Sequence, residues 1–179
     1  TVLVTFFVGV GSLGLYTYIS VVLERVQVDT IPGMWIWGIG GAVGAFGIGR
    51  VLDKVDSSRK LTTIIIVLLA ADFALLLLFP SSRMVALVCL FAWGLLGWSS
   101  MAPQQHSMLS ANPDEGATAV AANASANYLG SAVGSAVGGL FLPSSTGILL
   151  GALFVVLLGI VCSIGARALS FLKPRDNEN

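Results

Sequence analysis

Six apolar stretches, each about 20 residues or longer, follow one another along the chain, at roughly 2–23, 32–52, 61–79, 84–110, 117–142 and 147–171. A helix needs about 20 apolar residues to cross a bilayer's hydrocarbon core. Lipid also forces each span to satisfy its own backbone hydrogen bonds, which leaves helices as the form such segments take. Hydrophobic residues make up 56% and charged ones 10%, against about 45–50% and 25% in soluble domains. Mean hydropathy is +0.92, so a soluble fold would hold more apolar surface than it could bury. The expected class is all-α: a polytopic membrane protein, a six-helix bundle over 1–172 with a polar cytoplasmic tail at 173–179. The lipid bilayer is its first partner.

The segments are separated by short polar or breaker-containing turns: Glu24 to Thr30, Pro80 to Arg83, Asn112 to Gly116 and Pro143 to Ser145. One connection differs. It runs from Gly47 through Arg50, Asp53 and Lys54 to Arg59 and Lys60, and it holds four of the nine basic residues. Short loops rich in Lys and Arg stay cytoplasmic. With this loop inside and six spans, the inner side takes Arg50, Lys54, Arg59, Lys60, Arg167, Lys173 and Arg175, and the outer side only Arg25 and Arg83. Both ends of the chain are then expected to be cytoplasmic. The formal net charge is zero, which gives no reason to expect a nucleic-acid partner. The chain opens on Thr1 inside an apolar run, so it is expected to be a piece of a longer one.

Small residues indicate how the helices pack. Gly130, Gly134 and Gly138 recur every four residues in the fifth span, and Gly40, Gly44 and Gly47 mark the second. Such stripes let neighbouring backbones approach closely. They serve packing alone, or they are smooth faces on which one bundle rocks against another. Asp72 is the one acid deep in a span, where a charge costs about 2.5–3.5 kcal/mol on insertion scales. Its neighbours three and four residues away are Leu68, Leu69, Leu75 and Leu76, so its helix offers no partner. The acid is protonated, or meets a polar group on another helix, or faces water.

Several patterns are decoys. Gly9, Gly11 and Gly14 spell a dinucleotide fingerprint, but that pattern requires a preceding strand and here lies inside a span. Asn123-Ala-Ser125 spells a glycosylation site in mid-span. Ser99 and the single histidine, His106, are seven residues apart on one helix, a rise of about 10 Å, too far for a nucleophile and its base. Cys89 and Cys162 lie inside apolar segments and read as structural. No enzyme, metal or cofactor is expected.

The basic loop resembles the loop between the second and third helices of each half of a major facilitator superfamily transporter. The family pattern is Gly, Asp-Arg, Gly and two basic residues. Here Asp53-Lys54 stands for Asp-Arg, Ser57-Ser58 replaces the later Gly, and Arg59-Lys60 closes the motif. The stretch from Ala102 through Pro103, Gln104, Gln105 and His106 to Gly116, followed by Asn123, Asn127, Gly130, Gly134 and Gly138, is similar to the fourth and fifth helices of the C-terminal half in the drug–proton antiporter branch, near the arabinose-efflux-like permeases. The resemblance covers six helices, half of a twelve-helix family member.

It implies a secondary active transporter that exports small organic or amphiphilic solutes against protons, in a bacterial cytoplasmic (inner) membrane, with the missing N-terminal six-helix half as its partner. It implies that the first and fourth helices line the path, with Tyr16, Tyr18, Trp98, Gln104, Gln105 and His106 as candidates, and that Asn123 and Asn127 join them from the fifth. Interhelical hydrogen bonds would satisfy the same groups. The third and sixth helices would lie outermost. Asp53 would act as a charge latch on the surrounding basic residues, or sit in a solvated loop that only sets orientation. The alternative is a self-standing six-helix membrane protein that oligomerises through its glycine stripes, as a channel subunit or structural partner.

Overall fold

The structure is a computed structural model and describes residues 1–111, 113–142 and 144–172. The expected polar tail, and Asn112 and Pro143 in two expected turns, lie outside the described residues. The described residues form helices and no strand. The helices are α1 (Val2–Val8), α2 (Gly14–Tyr16), α3 (Ile19–Arg25), α4 (Thr30–Leu52), α5 (Ser58–Leu78), α6 (Arg83–Ser99), α7 (Met101–Ala111), α8 (Gly116–Gly139) and α9 (Ser145–Leu172).

The first apolar stretch is a broken helix. A π-helical turn, Gly9–Leu13, joins α1 to α2, and α3 turns away from Val2–Tyr16 by 63°. The break is tied to α8. The Thr17 and Ser135 hydroxyls lie 2.7 Å apart, and the Tyr18 hydroxyl donates to the Ser135 carbonyl. At its far end α3 closes in a Schellman turn. Val28 N–H bonds the Leu23 carbonyl and Gln27 N–H bonds that of Glu24, with Gln27 left-handed at φ 54°. Buried Leu23 and Val28 supply the apolar contact that accompanies this motif.

Serines open the later helices. Ser57 and Ser82 accept from the backbone N–H three residues on, Lys60 and Val85, and Ser144 accepts from Gly147. Each satisfies one of the donors a helix start leaves free. The fourth stretch reads as one span, Arg83–Ala111, but its ladder is interrupted at Ser100, between α6 and α7. Pro103 lacks the N–H that would bond the Ser99 carbonyl.

Four helices are long and apolar enough to cross a membrane, and five if the bent pair Val2–Tyr16 and Ile19–Arg25 is one span. α8 has the length, at 24 residues, but its Ala, Gly, Ser and Asn content dilutes its hydropathy. It packs along the first helix, while α4 packs on α6 and α5 on α9. The main core gathers Leu23, Leu69, Phe73, Leu90, Trp93 and Leu149. α4 and α8 keep large apolar groups outside, among them Trp35, Phe46, Tyr128 and Leu129.

Candidate functional site

The glycine stripe of α8 meets the first helix. A Cβ on Gly130 would strike the Phe6 carbonyl, and one on Gly134 the Val10 carbonyl and Gly14. From the other side, Gly9 abuts Asn127 and Gly14 abuts Gly134. Two of the glycines that spell the nucleotide decoy, Gly9 and Gly14, are therefore the second half of a backbone-to-backbone contact, while Gly11 abuts Ala152 and Val156 of α9. Gly138 lies on the Tyr18 ring. In α4, Gly40 and Gly44 press on the Phe91 and Leu95 carbonyls of α6, whereas Gly47 has open space around it. Gly33, Gly41 and Gly94 also make close contacts.

Asn123 and Asn127 share the stripe's face and are buried with it. Asn123 belongs to a polar node at the end of the bundle where α1 begins. The Thr5 hydroxyl lies 2.6 Å from Gln104 Oε1 and 2.6 Å from Asn123 Oδ1. A hydroxyl has one proton and donates it once, so one of the two amides presents its NH₂ to Thr5 instead. Gln104 is 1% exposed and its Nε2 has no partner. Thr5 escaped the sequence reading because a lone threonine in an apolar run carries no signal. Thr5→Val is expected to lower the apparent melting temperature by several degrees, since interhelical hydrogen bonds in membranes are worth about 0.6–2 kcal/mol each. Thr5→Ser should restore it, and an unshifted melt of the valine variant would show that Gln104 and Asn123 satisfy each other.

Asn127 faces a different place. With Ser12, Trp37, Trp98 and Tyr128 it lines a cavity of about 160 Å³ where the first helix, α4, α6 and α8 approach one another. Trp98 is 42% and Tyr128 71% exposed. Behind the cavity Tyr16 stacks on Trp37 at 4.1 Å, and Trp93 stands edge-on to both. Trp93 donates its indole N–H to Ser12 Oγ at 3.0 Å. The indole Nε1 of Trp37 is buried without a protein partner. A buried donor left so costs about 1–3 kcal/mol, which a bound acceptor would recover.

The other candidates are scattered. Tyr18 is held at the Ser135 carbonyl. Gln105 is half-buried and His106 exposed. His106 Nδ1 lies 2.9 Å from Ser58 Oγ at the start of α5, so His106 faces α5. Asp53 caps the end of α4. It is exposed, as are Arg50, Lys54, Arg59 and Lys60, and none of the five forms an ion pair among the described residues. Asp72 is 5% exposed. Its partner is on α6, the Cys89 thiol in hydrogen-bond reach, while Oδ2 has none. Cys89 was read as an inert core residue, so sequence reasoning missed the pair.

An all-α chain with several membrane-length helices and a tryptophan-lined cavity between them is a polytopic membrane protein. The model of the Major Facilitator Superfamily matches residues 1–135, and the chain belongs to that family of membrane transporters. No solved structure matches it.

Proposed function

We propose that the chain is the C-terminal six-helix half of a secondary active transporter of the drug–proton antiporter, arabinose-efflux-like kind, which exports small organic or amphiphilic solutes in exchange for protons across a bacterial inner membrane. The observation that carries this reading is the cavity at Trp37, Trp98 and Asn127. Its walls are mostly apolar and aromatic. The Asn127 amide, the Ser12, Ser100 and Tyr128 hydroxyls, the Trp98 indole and the Trp37 indole N–H without a protein partner provide the polar groups. Pockets of this composition suit a solute with a flat apolar body and a polar group. Asp72 is the only buried carboxyl among the described residues and gives this half a group that can carry a proton. The exposed apolar faces of α4 and α8 suit cover by the N-terminal half. The glycine stripe of α8, in contrast, already packs on the first helix, which favours this reading over one in which that stripe joins two copies of the chain.

The reading is tested in proteoliposomes of the full-length transporter with an imposed pH gradient. Uptake of amphiphilic aromatic solutes should follow the gradient and stop when it is collapsed. Trp37→Phe keeps the stacking and removes the N–H, and it should weaken apparent solute affinity about five- to twentyfold, the worth of a hydrogen bond to a buried group. Transport indifferent to the gradient would remove proton coupling, and unchanged affinity would remove Trp37 from the site. Topology has its own check. With Cys89 and Cys162 replaced by alanine, single cysteines at Ser57 and Asn177 should resist an impermeant thiol reagent in intact cells. Labelling at either would reverse the orientation.

A further inference from the structure

Helix α5 starts with the wrong sign of charge. Its first turn holds Arg59 and Lys60 and no acid. A helix N-terminus already carries about half a positive charge, and cations there are disfavoured. Asp53 and Asp56 stand in the preceding loop, yet neither forms an ion pair with these residues. Positive potential is thus concentrated and uncompensated at one end of a membrane-length helix. Two concavities flank it. On one side Arg59, Thr62, Ser107 and Ser163 line a cavity of about 150 Å³, and the three hydroxyl residues are each under 10% exposed. On the other side a groove of about 310 Å³ begins at Lys60 and Thr63 and continues along Ile64, Val67 and Leu68. Those three apolar side chains are 46–56% exposed, on the face α5 turns away from the core.

We propose that this end of α5 is a docking site for an anionic phospholipid, with the headgroup phosphate held between the Arg59 guanidinium and the Lys60 ammonium and one acyl chain laid along Ile64, Val67 and Leu68. Charge complementarity selects the anion. Phosphate pairs with the guanidinium fork through two parallel hydrogen bonds and cancels the mismatch with the helix dipole. The groove selects a lipid over a free anion, because it leads from the basic pair into the hydrocarbon. Lys60 and Leu68 are eight residues apart, about 12 Å of helix, a length an acyl chain follows. The pair of Asp72 on α5 and Cys89 on α6, deeper in the bundle, takes no part. The site rests on α5 spanning the membrane, and on neither the solute nor the coupling ion.

The test uses the full-length transporter purified in detergent and titrated with dioleoyl phosphatidylglycerol or dioleoyl phosphatidylcholine, with bound lipid counted by native mass spectrometry. Phosphatidylglycerol should bind about thirtyfold more tightly, at roughly a factor of five for each basic residue near an anionic headgroup. Arg59→Gln with Lys60→Gln should bring the two lipids within about twofold of each other, with an unchanged melting temperature as the control for folding. Arg83→Gln, at the other end of the bundle, should leave the preference intact. Val67→Asp should weaken both lipids by spoiling the groove without touching the headgroup contacts. Equal binding of the two lipids by the parent chain would overturn the proposal. Displacement of phosphatidylglycerol by millimolar inorganic phosphate would overturn it in favour of a free-anion site, and an undiminished preference in the double variant would place the lipid elsewhere.

Discussion

Gly134→Leu is expected to lower the apparent melting temperature by about 6–12 °C, or to prevent recovery of a folded bundle. A Cβ at this position would sit 2.9 Å from the α-carbons of both Gly14 and Val10, and against the Val10 carbonyl. These are backbone atoms, so no rotamer change makes room. The helices must separate, and α8 then loses its contact with the whole of the first helix. Overpacking typically costs about 1–3 kcal/mol, and each kilocalorie shifts the midpoint by about 2–4 °C at this chain length. A backbone-to-backbone site belongs at the upper end of that range. The control is Gly47→Leu. Gly47 belongs to a similar series of glycines, Gly40, Gly44 and Gly47, but nothing stands within 4 Å of its missing Cβ, and this variant should melt like the parent. If the two variants behave alike, glycine in this chain acts through the helix backbone and not through packing.

The contrast between Gly134 and Gly47 shows what the sequence can and cannot tell. Spacing alone groups each with its series and says which glycines share a helix face. It does not say what that face meets. The passes themselves were legible because hydropathy over 20 residues is a property of one segment, and the bilayer imposes it segment by segment. α5, expected over 61–79, runs from Ser58 to Leu78, and the early start is the cap supplied by Ser57. The break at Thr17 and Tyr18 was not legible, since no proline marks it. Bonds from Thr17 and Tyr18 to Ser135 on a distant helix hold it. The same limit hid the partners of Gln104 and Asp72. Their burial and polarity could be read locally, but Thr5 and Cys89 are ordinary residues that acquire meaning only by proximity. For the path candidates, the family resemblance named helices, and the fold then divided the named residues. Trp98 and Asn127 line a cavity, Gln104 and Asn123 bond inside the bundle, and His106 faces α5.

Asp72 offers the second large effect, because stability and transport should move in opposite directions. One of its carboxyl oxygens has no partner and the other meets only a thiol. The groups that pack around it are otherwise apolar, Leu69, Phe73 and Leu76 being fully buried beside it on α5. An unsatisfied buried polar group costs about 1–3 kcal/mol. Asp72→Leu removes that cost with the same side-chain branching and is expected to raise the melting temperature by a few degrees. A residue kept at a cost to stability is one that function requires. Gradient-driven transport should therefore fall at least tenfold in Asp72→Leu, although the protein is more stable. Asp72→Asn separates the two possible reasons. The amide keeps the shape and a hydrogen-bonding group towards Cys89, but it has no proton to release. If the acid carries the coupled proton, the asparagine variant loses gradient-driven transport and retains solute exchange, which moves no net proton. If the acid only shapes the α5–α6 contact, the asparagine variant transports like the parent. A lower melting temperature in Asp72→Leu would mean that the Cys89 contact is worth more than the orphaned oxygen costs, and the acid would then be a structural element of the α5–α6 contact.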